Sequence, residues 1–469
     1  MQFQVKESSS QRTGHVDAAV AEYPLLPPAL SKLAETSLIK HQPQPRSQQA
    51  LLTMAERETA FSSLPTEMKV NVFAFVRNIN DRATVCLVNR EWRSLMAPIL
   101  WETLSIYSGS ATSEKLATLL QPDNGVLKNV RHISIKRFSS VGASDRTPTI
   151  KAIVQLLFGA LPKNGLVGFE SCKDISVLSL LHLLQCHQNL STLDARIDPT
   201  SYGSPLYFDA GVHATWIAQA LTGLHKLTVY LESENRDTYK SSAMLIRSSP
   251  QLKALTVQGY KGTPPLTCSL GELNALSSNA NATRLQLSHL ALISLKLGLQ
   301  PTVLTNVDSS SLRSLRIYKC RNVKNLLTPL TTLFAQTCGI DELEIDLGSK
   351  LNNANSDVQA MEALLKSFTG LKHLWLDVGE GPMIDVSCIC RHGSTLCQLG
   401  VASRATTSQH LTSMDLSTII ASCTNLSGLA IDFCPIDLGQ IKNFGSEFGL
   451  QRLVNVDHAA TQLETYLVC

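Results

Sequence analysis

The sequence predicts an α/β chain with two folded parts behind a disordered N-terminal tail. A small helical unit comes first. A curved solenoid of strand–helix repeats follows, with strands on the concave side and helices on the convex side. Three observations carry this reading. Residues 1–47 are rich in Ser, Gln and Pro, residues 48–106 space their apolar side chains at helical intervals, and residues 107–469 repeat a short apolar motif.

Composition sets the bounds first. The chain has 469 residues, 44% hydrophobic and 17% charged, the profile of an ordinary globular protein. A net charge of +3 gives no argument for a nucleic-acid partner. No run of about 18 apolar residues occurs, so no membrane span is expected. The start, MQFQVKESSSQRTGH, has no apolar core of a secretory signal. Twelve scattered Cys then read as reduced thiols in the cytoplasm or nucleus, serving as small buried hydrophobes.

The tail, residues 1–47, holds YPLLPPAL and HQPQPRSQQ. Such a composition buries too little apolar surface to offset chain entropy, which predicts disorder. A helical pattern from Gln48 leads into SSLPTEMKVNVFAFVRNINDRATVCLVNREWRSLMAPILW, residues 62–101. Pro65 suits a first helical turn, and Glu67 complements the helix dipole. Met68, Val72, Phe75 and Val76 form one apolar face, RNIND interrupts it, and Val85, Val88, Trp92 and Leu95 form a second. Pro98 ends that pattern before Leu100 and Trp101.

Beyond Trp101 the period changes. The motif apolar-x-x-apolar-x-apolar starts at Val130, Leu166, Leu190, Leu224, Leu252, Ala282, Leu312, Ile340, Leu371, Leu396, Leu426 and Leu450. Successive starts lie 24 to 36 residues apart, within or near the period of leucine-rich repeats. Helical patterns fill the gaps, as in SDVQAMEALLKSF, where Ser356 or Asp357 is expected to cap. Each unit supplies one strand and one helix, and stacking the units buries a continuous core.

The stretch from residue 62 to 101 resembles the F-box, the helical module that docks on the Skp adaptor of cullin-based ubiquitin ligases. The resemblance rests on Leu64, Pro65, Glu67, Val72, Phe75, Val76, Leu87, Val88, Trp92, Leu95, Leu100 and Trp101, and CLVNREW with PILW is closest to the fungal form. Arg82 stands where the family usually has Leu, and RNIND is about a residue long. The resemblance implies that those twelve residues form the adaptor-binding surface. It also implies that the chain is a substrate receptor of a Skp–cullin–F-box ligase. The partners would be the adaptor, a cullin through it, and a target protein held by the repeats, with no nucleic acid and no membrane. A cap for the first repeat is the alternative reading of the helices.

No chemistry of its own is expected of the chain. No G-x-S-x-G, phosphate-binding glycine loop or H-E-x-x-H pattern occurs. Cys388, Cys390, His392 and Cys397 crowd together, but their spacing departs from structural zinc pairs, and no metal or cofactor is expected. Cys186, Cys338 and Cys423 precede repeat strands and are read as core.

The remaining candidate is the face opposite the core, where alternate strand residues point outward. These are Thr192, Asp194 and Arg196; Lys226, Thr228 and Tyr230; Ala254, Thr256 and Gln258; Arg284 and Gln286; then Ser314, Arg316 and Tyr318. An acidic group with an aromatic follows, Glu342, Glu344, Asp346, His373, Trp375 and Asp377, with Asp432 beyond it; it is expected to touch the target. Loop insertions from Arg137 and Ile197 are secondary candidates. Two other classes of function remain open. One is a scaffold that uses the adaptor outside a ligase, the other a repeat protein that blocks its partner without turnover.

Overall fold

The computed structural model describes residues 61–107, 118–121, 125–136, 147–198, 219–231, 236–259, 267–268, 285–298, 307–337, 339–348, 354–403, 411–431 and 452–455. The N-terminal tail, the pattern from Gln48 to Ala60, Arg284, Cys338, Asp432 and most of the two loop insertions lie outside the described residues. Two compact units are distinguished, Met1–Val72 and Phe73–Cys469.

Helix α1 (Thr66–Ala74), whose residues up to Val72 belong to the first unit, begins directly after Pro65, whose carbonyl accepts from the Lys69 N–H at 3.1 Å. Pro65 has no N–H to leave unpaired, and Glu67 sits in the first turn. The buried Lys69 side chain turns back, and Nζ donates to the Ser62 carbonyl at 2.8 Å.

The second unit opens with two helices, α2 (Ile79–Val88) and α3 (Arg90–Leu100). Asn78 caps α2 and Asn89 caps α3, each Oδ1 accepting a first-turn N–H, at 2.9 Å from Asn80 and 2.7 Å from Trp92. Strands and helices then alternate. They run β1 (Thr103–Tyr107), β2 (His132–Lys136), α4 (Thr147–Ala160), β3 (Gly168–Ser176), α5 (Val177–Cys186), β4 (Thr192–Asp198), β5 (Lys226–Leu231), α6 (Arg236–Arg247) and β6 (Ala254–Gly259). There follow β7 (Thr267–Cys268), β8 (His289–Ile293), β9 (Lys296–Leu297), β10 (Ser314–Tyr318), α7 (Lys324–Thr337), β11 (Glu342–Asp346), α8 (Ala354–Ser367) and β12 (His373–Asp377). The last are α9 (Val386–Cys390), β13 (Gln398–Ala402), α10 (Ser413–Ser422), β14 (Gly428–Ile431) and β15 (Arg452–Asn455).

Thirteen strands form one sheet in the order β1-β2-β3-β4-β5-β6-β8-β10-β11-β12-β13-β14-β15, every neighbour parallel. Parallel neighbours require a return crossover, and the intervening segments, many of them helical, provide it. From β6 to β10 the described connections are strands instead, and β7 and β9 pair as a separate two-stranded sheet.

The register is written in the backbone. The carbonyl of the second motif residue accepts two N–H groups from the next unit, at 2.7 to 3.1 Å. Glu102 thus receives Arg131 and His132, Arg131 receives Val167 and Gly168, and the ladder continues through Cys397, which receives Ser427 and Gly428. The opening apolar residues Leu166, Leu190, Leu224 and Leu371 are completely buried in one continuous core.

This ladder corrects two points of phase. The motif expected at Ala282 is displaced; Ser288 occupies the ladder and the strand is His289–Ile293, with Leu287, Leu290 and Leu292 inside. Leucines at both 285 and 287 made the two phases look alike. Gln286 is therefore not an outward strand residue; His289, Ala291 and Ile293 take that place. The second point concerns Trp101. With Leu104 and Ile106 it forms an additional motif that opens β1.

Asp357 is also corrected. It lies within α8, fully buried, and its Oδ1 accepts from the Lys324 N–H at 2.9 Å. It caps α7 of the preceding unit rather than its own helix. The helix-to-strand corners share a further feature. The buried His187, Ser249, His392 and Cys423 offer their carbonyls to the opening leucine of the next strand, Leu190, Leu252, Leu396 and Leu426.

Candidate docking surfaces

The first candidate is the helical segment. Within the second unit, Phe73, Cys86, Met96 and Leu100 are buried, and the Phe73 and Trp92 rings meet at 5.4 Å. No basic residue occupies the last turn of α2 or α3. Cations reach the helix ends from elsewhere. Arg82 donates from Nε to the Val76 carbonyl at 2.6 Å, just past the end of α1, and from Nη1 to Ile99 at 3.4 Å in the last turn of α3. Arg93 Nε donates to the Cys86 carbonyl at 3.0 Å in the last turn of α2. Positive charge at carbonyl-rich helix ends is favourable, and charged donors make the stronger hydrogen bonds. Within the second unit, Arg82 therefore ties Val76 to the last turn of α3.

The large apolar side chains divide. Phe75 is 81% exposed, and Ile79, Leu87 and Val88 are also exposed; Ile79 and Leu87 lie on one side of α2. Val76, Trp92, Leu95 and Trp101 are half-buried, and Leu100 is core. In the first unit Leu64 is half-buried, while Pro65, Glu67, Val72 and Met68 are exposed. Ile79 was not singled out from sequence, because RNIND reads as a break; its exposure is a tertiary fact.

The second candidate is the sheet face opposite the core. Glu342 and Glu344 on β11 stand beside β10 and β12, in register with Ser314 and Arg316, and with His373 and Trp375. Arg316 meets both glutamates, Nε to Glu344 at 3.3 Å and Nη2 to Glu342 at 3.9 Å. Burial nonetheless pushes the Glu344 carboxyl above the ordinary range, with Arg316 pulling it back. Asp346 and Asp377 are only 6% exposed, and each Oδ1 accepts an N–H two residues on, from Gly348 at 2.7 Å and Gly379 at 2.9 Å. They build the turns after β11 and β12 and do not present carboxylates to solvent, contrary to the alternation expected from sequence. Gly379 is needed there, at φ 61° and with its backbone close against the Gly348 carbonyl.

Trp375 faces Gly400 on β13, and a Cβ at that position would overlap the indole ring. The half-buried ring therefore lies across a gap that the missing side chain leaves open. Along the same face Tyr230 donates to Asp194 Oδ1 at 2.8 Å, and burial raises the Asp194 carboxyl. Arg196 pairs with Asp174 at 3.1 Å.

The cysteine–histidine cluster is dispersed. Cys388 is buried, Cys390 Sγ lies 3.9 Å from the Thr418 carbonyl, and Cys397 Sγ lies 3.4 Å from that of Thr395. His392 Nε2 is 3.2 Å from the Leu365 carbonyl, and its ring lies 5.1 Å from Phe368. Burial depresses its pKa to about 4. Among the described residues no group of three His, Cys, Asp or Glu converges as metal ligands. No helix among them is long and apolar enough to cross a membrane.

Comparison with known proteins adds three findings. Residues 61–107 match the family described as F-box-like. No curated protein matches the chain. Among solved structures, 88% of this chain aligns with 92% of a chain in the crystal structure of the Rad7 and Elc1 complex in yeast, at 11% identity and a TM-score of 0.44. Residues 61–107 of this chain are an F-box-like domain.

Proposed function

We propose that the protein is the substrate-recognition subunit of a Skp–cullin–F-box ubiquitin ligase. The F-box-like helices dock on a Skp-type adaptor that is joined to a cullin, and the strand–helix units form a leucine-rich-repeat solenoid that holds a target protein. The observation that carries the reading is the exposure of Phe75, Ile79, Leu87 and Val88 within the F-box-like segment. Exposed apolar side chains gathered in so short a segment favour a protein partner. Each one buried by that partner contributes up to about 1.5–3 kcal/mol. The chain supplies no nucleophile or base. It raises the effective concentration of a target lysine beside an activated ubiquitin thioester. On the repeats, Glu342, Glu344, His373 and Trp375 are the proposed target contacts, Trp375 as the aromatic anchor.

Affinity capture of the full chain with proteasome activity blocked tests this. The wild type brings down a Skp-type adaptor, a cullin and a target. Phe75→Glu with Leu87→Glu loses the first two while the melting temperature stays put, since both side chains are exposed. Retention of the adaptor by that variant would sink the docking proposal. An adaptor without a cullin identifies a scaffold, and a target whose lifetime ignores the chain identifies a blocking protein.

A further inference from the structure

A cationic band runs along the edge of the sheet where β5, β6, β8 and β10 begin. The backbone ladder stacks His225, Lys253, Ser288 and Arg313 in one row. The strand register stacks Lys226, Ala254, His289 and Ser314 in the row beside it. These eight positions hold three Lys or Arg, two His and no acid. Lys226, Lys253, His289 and Arg313 are exposed and His225 is half-buried.

The acids around the band are engaged elsewhere. Asp341 pairs with Lys372 at 3.2 Å, and Glu342 and Glu344 with Arg316. Asp194, which feels the charge of Lys226, accepts from Tyr230. Arg313 Nη1 donates to two backbone carbonyls, Gly339 at 2.9 Å and Ser310 at 3.2 Å, which fix its position, and among the described residues it makes no ion pair. Among the described residues, Lys253 has no ion pair.

We propose that this band, from His225 to Arg313, is a docking strip for a carboxylate-rich segment of the target protein. Four strands at about 4.8 Å give a strip of about 14 Å. An extended chain crosses it in four or so residues, with same-side carboxylates about 7 Å apart against the two rows. A nucleic-acid strand fits less well. The strip is short, it gives way to Ser191 and Thr192 on one side and to Asp341 and Glu342 on the other, and its eight positions include no Phe, Tyr or Trp on which a base would stack. The proposal deepens the reading of the repeats as target-binding. It is tested on the chain alone, so a failure of adaptor docking leaves it standing.

The measurement is fluorescence anisotropy of labelled hexaglutamate, hexaglutamine and a short oligouridine with the full-length protein. Hexaglutamate should bind, weaken as salt rises, and weaken by about tenfold or more in Lys226→Glu with Lys253→Glu. Lys128→Glu with Lys163→Glu, an equal charge change at exposed positions off the band, should alter binding little. The neutral pair Lys226→Gln with Lys253→Gln gives the same readout if the charge reversal disturbs folding. Equal binding of hexaglutamate and hexaglutamine overturns the proposal, as do equal losses in the on-band and off-band pairs. Oligouridine binding as tight as hexaglutamate would overturn the assignment to a protein segment.

Discussion

Burial strips water from both oxygens of Asp357, and the raised pKa that follows is opposed by the backbone N–H groups of Lys324 and Val323. Oδ2 has no hydrogen-bond partner, so the charge is costly while the acceptor at Oδ1 is useful. Asp357→Asn should therefore be at least as stable as wild type at neutral pH, and Asp357→Ala should lose about 1–2 kcal/mol with the cap. Chemical denaturation of the two variants decides it; an Asn variant weaker than the Ala variant would refute the capping role. A buried His392 works with the opposite sign. Its folded pKa, about 4, lies below the model-peptide value of 6.5 because burial disfavours the cation. Its contribution is thus complete above pH 6.5 and is lost as pH falls toward 4. The fall in melting temperature over that window should be shallower in His392→Gln. At Gly400 the added methyl of Gly400→Ala would displace the Trp375 ring, costing about 1–3 kcal/mol and red-shifting tryptophan emission as the indole enters water.

Helices α2 and α3 are short, and their ends are held by arginines borrowed across the unit. Arg82→Leu restores the usual family residue yet removes the donors to Val76 and Ile99. A hydrogen bond to a charged group contributes about 1.5–3 kcal/mol. The substitution should accordingly destabilise residues 73–100 by about that amount, read as faster amide exchange there with the sheet unaffected. Unchanged exchange would mean that water serves these carbonyls equally well. The helices were legible in sequence because their apolar residues recur at helical spacing, whereas the caps Asn78 and Asn89 were not singled out, the first because RNIND reads only as a break. Ile79, Arg82 and Arg93 were not legible in their roles, since exposure and partners are set by neighbouring helices. Among the strands, β8 was misplaced for a related reason. Leu285 and Leu287 offer two phases, and only the carbonyl of Lys253 selects the second.

For the whole molecule, the decisive element is β1, because it covers the edge of β2 and closes one end of the sheet. A chain beginning at Glu102 keeps Thr103–Tyr107 and should stay soluble while losing the F-box-like segment and with it the proposed adaptor contact. A chain beginning at Leu127 also loses the buried Leu104 and Ile106, which bares core side chains beside β2 as well as its edge, and should self-associate. Light scattering of the two truncations checks this. Equal solubility would show that the edge is protected by something other than β1.

The sequence by itself determined the helical spacing of the F-box-like segment and the strand positions of nearly every unit. Those follow from periodicity, and each leucine of the motif has one way to be buried. Tertiary structure decided which polar groups face water. Asp346 and Asp377 keep the outward phase of their strands in sequence, yet the backbone turns immediately after them and draws their carboxylates onto Gly348 and Gly379. Glu342 and Glu344 read as a bare acidic pair until Arg316, a unit earlier, is placed beside them. Sequence spacing carries a side chain's direction, but its partner is set by where the backbone turns, as for the two aspartates, or by the stacking of one unit on the next, as for Arg316 and the two glutamates.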